Sequence, residues 1–210
     1  MGILIMPDSL IDMRFHSTED LILFAGANGS GKTTLWNKLN LNIEDYINPD
    51  DIKIDLERQF GHEVNQLVAS KHAASKMLAL FKKRASFAWE TTFDAKNPLS
   101  ILLTPKAYNY NVSMIYVAPL SVEDCIKNVR KRAENNGHNV PEDTIRTRYE
   151  KSIKNFCEIC SLIDWYLYLN DNNTHKLVAL SATGVIKLVK PELIQFLPQQ
   201  LQGIFAGVCH

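Results

Sequence analysis

At 210 residues, with hydrophobic residues at 46% and charged ones at 22%, the chain fits one compact domain, or one domain with a small appendage, with a sizeable core, and extensive disorder is not expected. Lys plus Arg and Asp plus Glu number 23 each, which argues against a surface built to coat nucleic acid, where a basic excess supplies the attraction to phosphate. Four cysteines are too few for a disulfide scaffold in a chain of this length.

Met1 to Met6 is apolar and meets Pro7 and Asp8 with no basic residue ahead of it, so no signal peptide is expected. No stretch approaches the length that spans a membrane, and the expected setting is cytoplasmic. Residues 1–18 carry no clear period and read as an N-terminal arm.

Leu21-Ile-Leu-Phe-Ala25 is wholly apolar and ends at Gly26, the pattern of a central parallel strand buried on both faces. A helix follows from Thr33 to Asn40. Tyr46-Ile47 reads as a second strand, stopped by Asn48-Pro49-Asp50, with a helix to about Phe60. Val64, Leu67, Val68, Ala74, Met77, Leu78 and Phe81 fall at helical spacing and predict one long amphipathic helix over 64–84.

Ser86 to Glu90 reads as a third strand and Lys96 to Tyr108 as a helix interrupted near Pro105. Val112 to Val117 is a fourth strand. Ser121 opens a helix to Glu134 with a capping-box start. After a turn at Asn135–His138, Pro141 suits the first turn of a helix to about Ser161. Cys157 and Cys160 fall inside that helix and read as small buried hydrophobes. Asp164 to Leu169 is a fifth strand. Residues 171–210 read as a hairpin, His175–Leu180 with Val185–Val189, and a last helix from Pro191. Strands alternating with helices imply a mainly parallel five-stranded sheet covered on both faces, a three-layer sandwich.

The strongest motif is Gly26-Ala27-Asn28-Gly29-Ser30-Gly31-Lys32-Thr33, which satisfies G-x-x-x-x-G-K-[ST] between an apolar strand and a helix. Its glycines let the backbone N–H groups converge on phosphates, and the following helix adds its positive N-terminal end. Lys32 is placed to reach the β- and γ-phosphates of ATP, the Thr33 hydroxyl to hold Mg2+, and Thr34 continues the helix beside them. The chain lacks the Asn-Lys-x-Asp of GTPases and the Ser-Gly-Gly-Gln-like signature of transporter ATPases, neither of which a small-molecule kinase requires.

Such a kinase needs a carboxylate near the acceptor hydroxyl, a substrate pocket at the strand ends and arginines over the triphosphate. Asp50 follows the second strand on the edge of the sheet that carries the phosphate loop, and is either the proton acceptor or a helix cap. Glu90 and Thr92 end the third strand on that edge, as polar ligand contacts or as loop caps. Lys127, Arg130, Lys131 and Arg132 share one helix, and Arg146 and Arg148 lie on the next. At about 100° per residue, Ser152 and Asn155 fall within about 40° of Arg148, whereas Arg146 lies about 160° away. Arg148 is the better phosphate ligand of the two, the alternative being a solvated charged face.

Taken together, Ala25 to Thr34, Asn48-Pro-Asp50, Ser86-Phe-Ala-Trp-Glu-Thr-Thr92, Gly137-His138-Asn-Val-Pro141 and Ile145-Arg-Thr-Arg-Tyr149 with Ser152 and Asn155 resemble the zeta toxin family of P-loop kinases in its short form. The resemblance covers roughly residues 21–170. It implies a nucleoside-kinase-like fold and an ATP- and Mg2+-dependent kinase of UDP-sugars such as UDP-N-acetylglucosamine. By resemblance Asp50 is the general base, Lys32 and Thr33 serve phosphate and metal, Glu90 and Thr92 touch the sugar nucleotide, and Arg132 and Arg148 close over ATP. It also implies a small antitoxin protein as partner. Two departures stand out: Asn136 replaces the first Gly of a usual Gly-Gly-His turn, and Asn128 stands where an Arg is often found. His138 is left between a helix cap and a substrate contact. Two other readings remain open: a kinase of a nucleoside, an antibiotic or a polynucleotide end, and an ATP-dependent switch or binding module.

Overall fold

The computed structural model describes residues 19–134, 139–172, 174–182 and 184–206. The N-terminal arm, the Asn135–His138 turn and Cys209 lie outside the described residues.

The sheet is built from β1 (Asp20–Ala25), β2 (Asp45–Ile47), β3 (Phe87–Thr91), β4 (Asn111–Pro119), β5 (Asp164–Asp171), β6 (Thr174–Ala182) and β7 (Val185–Val189). Its order is β2-β3-β1-β4-β5-β6-β7. The first five strands in this order are parallel, as expected. The predicted hairpin does not stand apart. β6 pairs antiparallel with β5, and β7 with β6, so among the described residues the sheet has seven strands instead of five. The cause is the open edge of β5, whose unpaired N–H and C=O groups the hairpin covers while burying Val178 and Ala179 completely.

β1 occupies the centre because each of Leu21, Ile22, Leu23, Phe24 and Ala25 is fully buried. Leu21, Leu23 and Ala25 face a layer made by α3 (Gln66–Lys83), α4 (Ser100–Ala107) and α6 (Glu142–Ile159), through Ala73, Phe81, Leu102, Ile153 and Phe156. Ile22 and Phe24 face α1 (Lys32–Leu39) through Leu35 and Trp36. Truncating a side chain such as Leu23 to Ala costs about 2–5 kcal/mol in a core of this kind. A third cluster joins Ala27 of the phosphate loop to Cys125, Ile126 and Val129 of α5 (Val122–Glu134) and to Ile145 of α6.

α2 (Pro49–Phe60) starts at an N-cap Asn48, whose side chain accepts the Asp50 N–H at 3.0 Å. The predicted last helix is two single turns, α7 (Pro191–Ile194) and α8 (Gln199–Gln202), followed by a 3-10 turn, because Pro198 supplies no N–H to carry a helix through. Among the described residues no helix is long and apolar enough to cross a membrane. β1 pairs with β3 on one side and with β4 on the other, so the chain reverses direction across the sheet there. The crevice outside the C-terminal ends of these strands is where α/β sheets of this type bind ligands.

Candidate active site

The phosphate loop leaves β1 and wraps toward α1. Gly29 sits at φ +78, and a Cβ there would lie 2.3 Å from the Cys125 carbonyl oxygen. Gly31 sits at φ +97, and a Cβ there would lie 2.5 Å from Asn170 Nδ2 and 2.9 Å from His175 Nε2. Both positions therefore require glycine for conformation and for space.

Three side chains hold consecutive carbonyls of the loop from outside. Asn128 Nδ2 donates to the Gly29 oxygen at 2.9 Å, Asn170 Nδ2 to the Ser30 oxygen at 2.8 Å, and His175 Nε2 lies 3.1 Å from the Gly31 oxygen. A carbonyl only accepts, so the His175 proton is on Nε2. In a trans peptide the N–H points opposite to the C=O, so fixing the Ser30 and Gly31 carbonyls aims the Gly31 and Lys32 N–H groups the other way. Asn128 thus has a loop-bracing contact at the position where the sequence departs from the family pattern.

Lys32 is 5% exposed, and its ammonium donates to the Gly26 and Ala27 carbonyls, each at 2.9 Å. Glu90 Oε1 lies 3.7 Å from the same nitrogen. The Thr33 hydroxyl donates to Glu90 Oε2 at 2.7 Å, and the Tyr46 hydroxyl donates to that oxygen as well. Tyr46 is held by stacking on Trp36, with ring centroids 4.4 Å apart. Burial first, then the Glu90 charge, pushes its phenol far above the usual range, so it remains a donor. The Glu90 carboxylate therefore faces the loop's own Thr33 and Lys32.

A cavity of about 240 Å³ opens at this strand edge. Of the residues picked out by sequence, Asn28, Lys32, Asp50, Glu90, Thr92, Arg132 and Arg148 line it. Asp50 is not the helix cap, a role taken by Asn48, and its carboxylate lies 3.6 Å from Arg132 NH1. Arg148 NH1 donates to Asn28 Oδ1 at 2.9 Å, and Arg148 Nε lies 3.2 Å from Asp94 Oδ2. Arg146 turns away and pairs with Glu123 of α5 at 2.9 Å, as the helical wheel required. The Thr92 hydroxyl donates to Asp94 Oδ1 at 2.6 Å.

Sequence reasoning missed Gln66, Ser70 and Asp94, which line the cavity, and Tyr46, Asn170 and His175, which support it. Gln66 and Ser70 are spaced i, i+4 on α3, but an isolated polar pair looks like any solvated helix face. Asp94 lies two residues after the Glu90-Thr91-Thr92 segment, and was the one signal within reach.

A model of the family described as Zeta toxin matches residues 10–177. A Haemophilus influenzae protein described only as uncharacterized is 27% identical over 132 residues, 61% of this chain and 91% of that protein. Among solved structures, the AvrRxo1-ORF1:-ORF2 structure with ATP superposes with a TM-score of 0.65 at 16% identity, over 88% of this chain and 65% of that chain. The structure of the PezAT chromosomal toxin-antitoxin system of Streptococcus pneumoniae superposes with a TM-score of 0.55 at 18% identity, over 91% and 84%. At these identities the structural likeness speaks for the fold alone, and the chain spans 65% of the length of the first of these chains. With the family model covering most of its length, the chain belongs to the zeta toxin family of P-loop kinases.

Proposed function

We propose that the protein is an ATP- and Mg2+-dependent kinase that transfers the γ-phosphoryl group to a hydroxyl of a UDP-sugar such as UDP-N-acetylglucosamine. The observation that carries this reading is the convergence of Lys32, Asp50, Arg132 and Arg148 on one cavity beside the phosphate loop. Membership in the zeta toxin family and the likeness to a structure determined with ATP support it.

In this reading the loop amides and Lys32 hold the β- and γ-phosphates. The Thr33 hydroxyl and the Glu90 carboxylate are hard oxygen donors held 2.7 Å apart, a set that fits Mg2+, which takes few protein ligands and completes its shell with water and phosphate oxygens. When bound, the metal ion neutralises phosphate charge. Asp50 accepts the proton of the acceptor hydroxyl as its oxygen bonds to the γ-phosphorus and the bond to the ADP oxygen breaks. Arg132 orients the Asp50 carboxylate, and Arg148, anchored on Asn28 beside the loop, stabilises charge on the transferring group. Gln66, Ser70 and Thr91 add amide and hydroxyl groups suited to a polyhydroxylated acceptor.

The PezAT structure is of a toxin-antitoxin system and the AvrRxo1 structure is of a two-protein complex, which supports a small antitoxin protein as a partner here. The cytoplasm, where ATP and sugar nucleotides occur together, is the matching location. The test is incubation with ATP and Mg2+ against UDP-sugars, nucleosides, aminoglycoside-like antibiotics and 5′-hydroxyl oligonucleotides, read by mass spectrometry for an added phosphate. Phosphorylated UDP-sugar, lost in Lys32→Ala, is the expected result. Phosphate on another acceptor keeps the kinase and overturns the substrate. Tight ATP binding with no acceptor phosphorylated overturns catalysis in favour of a switch.

A further inference from the structure

The geometry points to Asp94 as a positioning residue that holds Arg148 against the phosphate loop, with residues 91–95 and the polar face of α6 acting as one clamp. The inference rests on the kinase reading, and it concerns how the arginine is aimed.

Asp94 lines the cavity, which makes it look like a substrate contact. Both of its carboxylate oxygens are already engaged within the protein, however. Oδ1 accepts from the Thr92 hydroxyl at 2.6 Å, and Oδ2 lies 3.2 Å from Arg148 Nε. The Thr92 hydroxyl is committed to the same contact, so Thr92 serves the clamp through Asp94. Arg148 uses its outer nitrogen NH1 on Asn28 Oδ1 of the phosphate loop, 2.9 Å away. One guanidinium thus bridges the segment after β3 to the loop after β1, and the planar fork of arginine lets two of its nitrogens engage different partners in fixed directions.

The segment carrying Asp94 is itself pinned by the helix that carries Arg148. Asn155 Nδ2 donates to the Phe93 and Ala95 carbonyls, each at 2.9 Å, one on either side of Asp94. Phe93 between them has φ +56, a conformation that bulky residues avoid, and its ring is 1% exposed in the core. The Thr91 hydroxyl accepts the Phe93 N–H at 3.1 Å. One turn from Arg148, Ser152 is fully buried against the Tyr116 hydroxyl at 3.0 Å, which locks that face of α6 inward. Arg148, Ser152 and Asn155 share this face by helical spacing. A long side chain that is a third exposed would otherwise sample many rotamers. The clamp removes that freedom before the nucleotide arrives, which is the condition for charge stabilisation without reorganisation.

The experiment is a double-mutant cycle on Mg-ATP affinity with the full chain, using Arg148→Ala, Asp94→Ala and the double variant, with Asp94→Asn as a same-size second replacement. Thermal melts select the variants that remain folded. Each single change is expected to weaken ATP binding roughly tenfold, the scale of one charge-assisted hydrogen bond at a partly exposed site. The double variant is expected to bind no more weakly than Arg148→Ala alone, because Asp94 acts through Arg148. Effects that multiply in the double variant overturn the inference, as does an Asp94→Asn protein with unchanged ATP affinity and a raised KM for the acceptor. Unchanged ATP affinity in Arg148→Ala overturns it too. The kinase reading fails separately, when unaltered protein binds ATP and phosphorylates no acceptor; the affinity cycle still decides the role of Asp94 in that case. A chain that binds no ATP overturns both.

Discussion

The Thr33 hydroxyl and the Glu90 carboxylate meet at 2.7 Å, tying the first turn of α1 to the end of β3. These two residues are 57 positions apart in sequence and adjacent in space because β3 lies beside β1 in the sheet. Tyr46 donates to the same carboxylate from β2, so three elements define one oxygen-rich corner.

Glu90→Gln keeps the side chain's size and removes its charge. Phosphoryl transfer should fall by about a hundredfold or more, the scale seen when one charge-stabilising group is removed from an active site. The Mg2+ concentration giving half-maximal rate should rise as well. A steady-state titration with Mg2+ measures both, and an unchanged Mg2+ dependence would show that the carboxylate serves only the fold.

Asp50 faces Arg132 within the cavity and leaves capping to Asn48. Asp50→Asn should therefore leave α2 and ATP binding intact while slowing transfer by about a hundredfold to ten-thousandfold, the usual worth of a positioned general base. Paired measurement of ATP affinity and turnover separates the two effects; equal loss of both would remove Asp50 from the role of base.

Gly31→Ala forces a side chain at φ +97 toward Asn170 and His175. Backbone strain alone costs about 1–3 kcal/mol, and displacement of the bracing amide adds to it. Thermal unfolding should begin several degrees lower, with nucleotide binding weakened in the same protein. An unshifted melt would mean that the β5–β6 brace is soft.

Burial pushes the Cys125 thiol up to about 12. The unfolded chain ionises this group near the ordinary value of about 8.5, whereas the folded protein keeps it neutral. The contribution of the buried thiol to stability is complete below the ordinary value and falls as pH rises toward the folded one. Denaturant midpoints at about pH 8 and about pH 10 should separate more in the unaltered protein than in Cys125→Ala. Equal separation in the two proteins would contradict this placement.

Much of the site was legible because its strongest signals are local. The glycine spacing from Gly26 to Gly31, the apolar run before it and the helix after it all act within a few residues of one another. The wheel that favoured Arg148 over Arg146 needed only the periodicity of one helix, and the structure has Arg148 on Asn28 and Arg146 on Glu123. Asp50 was legible as a residue at a strand end, whereas its pairing with Arg132 and the N-cap at Asn48 came only with the structure. The brace of Asn170 on Ser30 joins positions 140 apart, and no local pattern announces it.

By itself, then, the sequence determined the parallel α/β core, the glycine-rich loop between β1 and α1 and the placing of Arg148 and Arg146 on different sides of one helix, since hydrophobic period and backbone conformation are properties of short segments. Tertiary structure alone decided that the C-terminal hairpin extends the sheet, that Glu90 faces Thr33, and that Asp94 holds Arg148. Those contacts depend on strand order, and strand order is set by how distant segments bury their apolar faces together.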